Sequence, residues 1–263
     1  MTTVNETSHP PVHGPVRVHC GYHKCLTMYS RRVYKRACHW MLPPRRGFRH
    51  FYHWADRFYA ECTRYRVASV SGHAVQLDRF EDVRVVRFIR DPRDLLVSGY
   101  HYHLKGVEPW STRVDPTPDV WRQVGGVIPS MLPPGASMQS FLAEAPLEVG
   151  MAAELEFRTK HFDSMREWPD GDSRVRLFRY EDILGNEVAV FEEIFDFFEL
   201  PRLARARGRL YARRHAAGRR AADSGHIRDA RAGQWRDVLP DAVVAEVAAR
   251  YGDVLDRYGY PRA

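Results

Sequence analysis

The chain has 263 residues, enough for one large α/β domain, and its 44% hydrophobic and 28% charged residues are typical of a globular protein with a full-sized core. No apolar run approaches the roughly 18 residues that a membrane-spanning helix needs, so we expect no membrane insertion. The formal net charge of +7 favours anionic ligands, a class that includes both nucleic acids and phosphorylated nucleotides.

The first residues and the cysteines both favour a reduced, cytoplasmic protein. Residues 1–15 are polar, rich in Pro and His, and lack the apolar stretch of a signal peptide. We expect them to form a short disordered leader before a single domain over 16–263. The four cysteines, between Cys20 and Cys62, show no paired CxxC spacing, which predicts neither a disulfide framework nor a zinc site.

Short β-rich runs alternate with helical patterns along the chain. The run Val16–Cys20 leads through the loop Gly21–Cys25 into a helix whose apolar residues are three or four positions apart. Asp91-Pro92 follows another strand and is a helix start, with a capping Asp and a Pro in the first turn. In chain order, the predicted elements are strand Val16–Cys20, helix Leu26–Trp40, strands Arg66–Val70 and Val83–Ile89, helix Pro92–Lys105, a helical stretch Ser137–Trp168 broken near Pro146, strand Arg174–Phe178, and helices Asn186–Phe198 and Asp241–Tyr258.

This alternation predicts a single α/β domain with a P-loop-like parallel sheet of four to five strands, flanked by helices on both faces. In such folds, ligands bind beyond the carboxyl ends of the strands. The loops Gly21–Cys25 and Arg90–Pro92 both leave strands at that edge. Residues 106–136 are rich in Pro and Gly and are a predicted functional loop, in which Trp110 and Trp121 either line a pocket or pack the loop onto the body.

The loop Gly21–Cys25 and the start of the next helix form the first cluster of chemical interest. A loop that feeds a helix N-terminus presents free backbone N–H groups and the positive end of the helix dipole, which suits a phosphate. Lys24 adds a positive charge, and Thr27 adds a hydroxyl on the first turn. The pattern G-x-x-x-x-G-K-[ST] is absent, and no Ser or Thr follows the lysine to hold magnesium. An ordinary strand–helix turn with a solvated lysine fits this segment equally well.

The second cluster ends the strand Val83–Ile89 and begins the next helix. Arg90 follows the strand directly, and Ser98 lies two helical turns further on. A guanidinium at this place can hold a phosphate by two parallel charge-assisted hydrogen bonds. The alternative, from the residues alone, is an Arg–Asp network that caps the helix.

Four segments, in the same order, resemble the motifs of PAPS-dependent sulfotransferases, whose sulfuryl donor is 3′-phosphoadenosine-5′-phosphosulfate (PAPS). Tyr22–Tyr29 is similar to their 5′-phosphosulfate loop, P-K-S-G-T-T-W, and Arg90–His103 resembles their 3′-phosphate motif. Leu177–Asp182 resembles the strand that ends in Y-E-D, and Ile227–Arg236 resembles the late loop R-K-G-x-x-G-D-W-K. The resemblance spans about residues 16–260 and implies a cytosolic-type sulfotransferase domain.

The resemblance implies a role for each matching residue. At the 5′ end, Lys24 would contact the oxygen that bridges sulfate and 5′-phosphate, with Thr27 on the 5′-phosphate. At the other end, Arg90 and Ser98 would hold the 3′-phosphate. The further implied contacts are Tyr180 beside the adenine, Tyr29 in place of a tryptophan that stacks on it, and Arg228, Ala232 and Gly233 closing over the 3′-phosphate. The implied donor loop comprises Tyr22, His23, Lys24, Cys25, Leu26, Thr27, Met28 and Tyr29.

The family's reaction is an in-line transfer of a sulfuryl group to a small-molecule acceptor, here expected to be a hydroxyl, with no metal required. The acceptor has to lose a proton, and His73 sits where the family has its catalytic histidine. A neutral imidazole suits that role near pH 7. The loop 106–136 would then be the acceptor loop or its lid. Other candidate bases remain open, namely His101, His103, Glu148 and Glu154.

Departures from the family's pattern motivate a second hypothesis. Leu26 stands in place of a glycine, Met28 in place of a threonine, and Asp229-Ala230 in place of a K-G pair. They leave open a weakly active or inactive protein that binds PAPS or its product PAP, 3′-phosphoadenosine 5′-phosphate. A P-loop kinase is disfavoured because the magnesium motif is missing. A nucleic-acid-binding module is suggested only by the net charge, so we expect no nucleic-acid partner.

The basic side chains are almost all arginines, a bias typical of a GC-rich, bacterial genome, which favours a secondary metabolite or a glycolipid as acceptor. No oligomeric state is predicted. The Arg-rich segment Arg202–Arg220 is expected to be a solvated helix face, with contact to the 3′-phosphate through Arg219 or Arg220 as the alternative.

Overall fold

A computed structural model describes residues 11–39, 45–51, 55–71, 75–122, 124–216 and 231–262. In these ranges five parallel strands form one sheet in the order β2-β3-β1-β4-β5. The strands are β1 Val12–Gly21, β2 Arg46–Phe51, β3 Tyr65–Ser71, β4 Phe80–Ile89 and β5 Val175–Arg179. The predicted α/β domain with a parallel sheet of four to five strands is confirmed.

The centre of the sheet is formed by β1 and β4, because both strands are buried on both faces. Val16 and Val18 of β1 are fully buried, and so are the apolar residues of β4 from Val85 to Ile89. Such near-continuous apolar runs are typical of parallel strands that are covered by helices on each side. The carboxyl ends of the two strands lie side by side, with Gly21 paired to Phe88.

The sheet begins earlier than the sequence predicted. β1 starts at Val12, so residues 12–15 belong to the sheet and the predicted leader over 1–15 was too long. The sequence did not predict this start because Gly14 and Pro15 are both unusual within a strand. Gly14 has a φ of 88°, Pro15 lacks an N–H, and the pairing with β4 shifts its register between Val12 and Pro15. Residues 1–10 of the predicted leader lie outside the described residues.

Helices cover both faces of the sheet and enclose a separate apolar core on each side. In the described ranges the helices are α1 Thr27–Ala37, α2 Ala55–Glu61, α3 Pro92–Leu104, α4 Pro118–Arg122, α5 Met138–Glu144, α6 Leu147–Phe157, α7 Thr159–Arg166, α8 Tyr180–Ile183, α9 Glu187–Phe197, α10 Arg202–Arg214, α11 Trp235–Val238 and α12 Asp241–Arg257. The larger core lies under α1, α3 and the helices from α5 onward, and the smaller one lies under α2. The predicted break near Pro146 separates α5 from α6.

The start of α3 is fixed by its own sequence. The carboxylate of Asp91 accepts a hydrogen bond from the backbone N–H of Arg93 at 2.9 Å, and Pro92 occupies the first turn. The Arg93 guanidinium also donates two hydrogen bonds to Asp91, at 3.0 and 2.8 Å. The helix therefore begins directly after β4, with its N-terminus at the carboxyl edge of the sheet.

The tryptophans of the 106–136 segment hold it onto the body of the domain. Trp121 is fully buried, and Trp110 stacks on Phe157 with ring centroids 5.2 Å apart. The sequence left open whether these tryptophans line a pocket or pack the loop onto the body. The contacts of both rings favour packing. Gly126 also lies against Phe157, so closely that an added Cβ would overlap the ring.

We expect Gly126→Ala to lower the free energy of unfolding by about 1–3 kcal/mol, because the methyl group would force the buried ring of Phe157 out of its place. Urea unfolding followed by tryptophan fluorescence measures the change. The matched control is Gly171→Ala, since a Cβ at Gly171 meets no atom within 4 Å. Equal stability of the two variants would contradict the tight packing of this segment.

Candidate functional site

The loop between β1 and α1 takes its shape from two residues in the left-handed conformation, Lys24 with φ 71° and Leu26 with φ 54°. The backbone N–H of Cys25 donates to the carbonyl of Tyr22 at 3.0 Å, and the Thr27 hydroxyl donates to the same carbonyl at 3.1 Å. Leu26 stands at the N-cap and offers no acceptor to the first turn of α1. The N–H groups of that turn can therefore bind an anion at the edge of the sheet.

Arg90 connects this loop to the late part of the chain. Its Nη1 donates to the carbonyl of Lys24 and its Nη2 to the carbonyl of Arg231, both at 3.4 Å. The guanidinium lies over the ring of Tyr180, 4.1 Å from the ring centroid. The side chain is 3% exposed, and its Nε has no hydrogen-bond partner among the described residues. Because both hydrogen bonds are long, a charged acceptor can replace them.

The carboxylate of Asp94 holds the late loop against α3. It accepts hydrogen bonds from the backbone N–H groups of Gly233 at 2.7 Å and Trp235 at 3.0 Å, and its Oδ2 lies 3.8 Å from Nη2 of Arg90. Asp94 is fully buried, and burial raises the pKa of its carboxyl group. Gly233 has a φ of 78°, a conformation that favours glycine. This contact brings two of the four motifs together across 139 positions of the chain.

The ammonium group of Lys24 lies in a positive environment. Its Nζ is 3.9 Å from the centroid of the Tyr102 ring, and it forms no ion pair with a carboxylate in the described part of the chain. Burial, followed by the charges of Arg158 and Arg90, lowers the pKa of Lys24 from its ordinary value of 10.5 to about 8. A cation held in this way is stabilised by a bound anion.

A polar cluster that no motif includes lies beside the donor loop. The carboxylate of Glu108 accepts hydrogen bonds from the Tyr102 hydroxyl at 3.3 Å and from the indole N–H of Trp110, and it lies 3.5 Å from Nε2 of His23. The His23 ring stacks on His103 with centroids 5.7 Å apart. Burial lowers the pKa of His23 to about 4, so this imidazole is neutral near pH 7.

Three further ionisable side chains are fully buried beneath this cluster. The Arg158 Nε donates to Glu154 at 2.7 Å, and Nδ1 of His103 lies 2.7 Å from the other carboxylate oxygen. An added Cβ at Gly99 would overlap both Glu154 and Arg158. His103 and Glu154 therefore lie in the interior of the domain, and their role as bases stays a prediction. Glu148, another candidate, is exposed on α6.

Several residues of the predicted donor loop point into the protein. Tyr22 and Cys25 are buried, and the Tyr22 hydroxyl lies 3.1 Å from the Ser164 hydroxyl. Tyr29 is 8% exposed and donates its hydroxyl to the carbonyl of Ala212 at 3.0 Å. These contacts explain Tyr29 as a core residue, and its stacking on adenine stays a prediction. Elsewhere, Met28 and Ala232 are exposed, Ser98 and His101 are half-buried, and His73 and Arg228 lie outside the described residues.

Across the described ranges, none of the helices is long and apolar enough to cross a membrane. The same ranges contain no group of three or more His, Cys, Asp or Glu side chains arranged to hold a metal ion.

Fold and site together define a parallel α/β protein whose cationic side chains and free helix N–H groups lie at the carboxyl edge of its sheet. The family model described as the sulfotransferase domain matches residues 75–259, and the chain belongs to this family. Among curated proteins, none matches the chain in sequence.

Two solved structures resemble the chain over most of its length. Mouse sulfotransferase SULT7A1, solved in complex with PAP, is 16% identical, with a TM-score of 0.52 over 93% of this chain and 88% of that chain. Retinol dehydratase, in complex with androsterone and the inactive cofactor PAP, is 13% identical, with a TM-score of 0.47 over 94% of this chain and 81% of that chain. The likeness to the mouse enzyme shows a shared fold.

We expect Lys24→Met to raise the free energy of unfolding at pH 7 by about 1–3 kcal/mol, because the substitution removes a charge that folding brings into a positive environment. The gain should shrink as the pH rises through about 8 towards 10.5, where the amine loses its proton in the folded state before it does so in the unfolded state.

Urea unfolding at pH 7 and pH 9.5 measures both effects. The control is Lys160→Met, at an exposed lysine on α7, which should change the stability by less than about 0.5 kcal/mol. A loss of stability in Lys24→Met at pH 7 would contradict the prediction, because it would show that the charged lysine does not destabilise the folded protein.

Proposed function

We propose that this protein transfers a sulfuryl group from PAPS to a hydroxyl group of a small-molecule acceptor. The proposal rests on membership of the sulfotransferase domain family and on one observation, the contact between the Arg90 guanidinium and the carbonyl of Lys24. Arg90, which the resemblance assigns to the 3′ end of the donor, thus contacts the backbone of Lys24, which it assigns to the 5′ end. The presence of PAP in the mouse sulfotransferase of the same fold supports this choice of donor.

At the 3′ end of the donor, Arg90 and Ser98 would hold the 3′-phosphate. The Nε of Arg90 is buried without a hydrogen-bond partner among the described residues, and its two carbonyl contacts are long, so the guanidinium has donors to offer a phosphate. The ring of Tyr180 packs against one face of the guanidinium. Gly233, held by Asp94, would place the late loop over the same phosphate, together with Arg228 of the same motif.

At the 5′ end, the residues of the donor loop would hold the phosphosulfate. PAPS supplies the sulfuryl group when it is bound. The Lys24 ammonium would neutralise the charge that develops on the leaving oxygen of the 5′-phosphate, and Thr27 with the N–H groups of the α1 N-terminus would bind that phosphate. In this scheme side chains and backbone dipoles carry the charge stabilisation, and no metal is required.

His73 would accept the proton of the acceptor hydroxyl. Ser71, the last residue of β3, pairs with Gly21, the last residue of β1, and His73 is two residues further along the chain. His103 and Glu154 are fully buried and hydrogen-bonded to each other, which favours His73 among the bases considered. A general base in this role is worth roughly 10²–10⁴ in rate.

A second candidate function is binding of PAP or PAPS without transfer. It is favoured by Leu26, whose side chain stands where the family has a glycine, and by Met28, which is 57% exposed and lacks the hydroxyl of the family's threonine. Each change removes a feature of the loop that surrounds the phosphosulfate.

Binding of the donor is tested by calorimetry with PAP on the wild-type protein and on Arg90→Ala. We expect micromolar affinity in the wild type and a Kd about 10- to 150-fold higher in the variant, since one charged hydrogen-bonding group is lost from the phosphate. Arg64→Ala, at an exposed arginine next to β3, is the control and should bind PAP as the wild type does. Absence of PAP binding in the wild type would refute both candidate functions.

Transfer is tested with radiolabelled PAPS on a panel of phenols, alcohols and sugars. His73→Ala should keep PAP binding and lose about 10²–10⁴-fold in kcat. Lys24→Ala should lose at least about 10²-fold in kcat as well. PAP binding by the wild type without transfer to any member of the panel would favour the second candidate function over the first.

A further inference from the structure

Two helices on one side of the domain, α1 and α10, carry ten arginines and lysines and no acidic residue. They pack against each other in opposite directions, because Tyr29 near the start of α1 bonds to Ala212 near the end of α10, while Ala37 at the end of α1 lies beside Gly208. Their outer sides therefore form one continuous surface, which we call the α1–α10 face.

The outward side of α10 combines this charge with two large apolar side chains. Leu203 and Leu210 are 68% and 63% exposed, the highest values among the large hydrophobic residues of the described part of the chain. They are two helical turns apart and so lie on the same side of the helix. The residues that α10 buries, Ala204, Gly208 and Ala212, lie on the opposite side. The two leucines therefore do not belong to the side of α10 that packs against the core.

Neighbouring acidic groups neutralise only a part of the charge. Arg205 pairs with Asp196, and Arg209 pairs with Glu192, both partners being on α9. In the described ranges, the exposed basic residues of the α1–α10 face that form no ion pair with a carboxylate are Arg32, Lys35, Arg36, Arg202, Arg213 and Arg214.

We propose that the α1–α10 face docks on the surface of a lipid bilayer that contains anionic phospholipids. A helix that lies in a membrane interface has basic residues for the headgroups and large apolar residues that enter the acyl boundary, and the exposed side of α10 has both. A cavity of about 260 Å³, lined by Arg32, Lys35, Arg36 and His215, lies on the same face and can take a headgroup phosphate. Nucleic acid would use the arginines but would leave the two leucines in water.

The proposal is independent of sulfuryl transfer, since neither the leucines nor the arginines of this face belong to the site at the edge of the sheet. It predicts peripheral contact, for which no spanning helix is needed.

Co-sedimentation of the full chain with vesicles tests the proposal. We expect binding to vesicles of phosphatidylcholine mixed with phosphatidylglycerol, little binding to phosphatidylcholine alone, and release at about 0.5 M salt. Arg213→Glu/Arg214→Glu should weaken binding more than about 20-fold, because each reversal replaces attraction by repulsion. Leu203→Ser/Leu210→Ser, which changes no charge, should weaken it about tenfold.

Two controls separate the face from charge and exposure in general. Arg46→Glu/Arg64→Glu makes the same change in net charge at two exposed arginines, one that begins β2 and one that precedes β3, and Leu147→Ser removes an exposed leucine on α6. Both should bind the vesicles nearly as well as the wild type. Circular dichroism melting and PAP calorimetry show that each variant is folded.

Three results would overturn the proposal. One is absence of binding to the anionic vesicles, and another is an equal loss of binding in the Arg46/Arg64 control. The third is binding to a DNA duplex as tight as to the vesicles with no effect of Leu203→Ser/Leu210→Ser, which would make a nucleic acid the partner of this face.

Discussion

The site depends on one buried carboxylate. Asp94 accepts two backbone hydrogen bonds from the late loop and lies 3.8 Å from the Arg90 guanidinium, so a single side chain fixes the relative positions of α3, Arg90 and Gly233. A fully buried carboxylate is tolerated only when hydrogen bonds and a nearby cation compensate for the loss of water. These compensating groups are the ones that the proposed 3′-phosphate site requires, which links the stability of the domain to the shape of the cleft.

The donor loop shows a related coupling between backbone and function. Leu26 adopts a left-handed conformation that costs a residue with a Cβ roughly 1–2 kcal/mol and costs glycine almost nothing. The side chain packs partly against the larger core, which offsets a part of this cost. The loop therefore keeps the turn that follows β1 although the glycine of the family is absent. Here the packing of the Leu26 side chain offsets a part of the strain that a glycine would avoid through its free backbone.

The sequence predicted those features that depend on local pattern. The alternation of apolar runs gave the parallel sheet, and Asp91-Pro92 marked the start of α3 to the residue. β2 escaped prediction because Arg46–Phe51 contains two arginines, a glycine and a histidine, and its strand conformation comes from pairing with β3. The contact between Asp94 and Arg90 could have been predicted, since the two residues are four positions apart, about one helical turn. Glu108 could not, because only the folded chain brings it to His23 and Tyr102.

The buried trio of His103, Glu154 and Arg158 has a consequence for how this family member can diversify. Its members are joined by hydrogen bonds beneath His23, and the absence of a side chain at Gly99 leaves room for them. Exchanging Glu154 would leave the buried Arg158 guanidinium without its counter-charge, and exchanging Arg158 would do the same to Glu154, so these two positions tolerate little change. Under the proposed function, a search for a different acceptor should therefore keep these positions and vary the segment 106–136, the predicted acceptor loop.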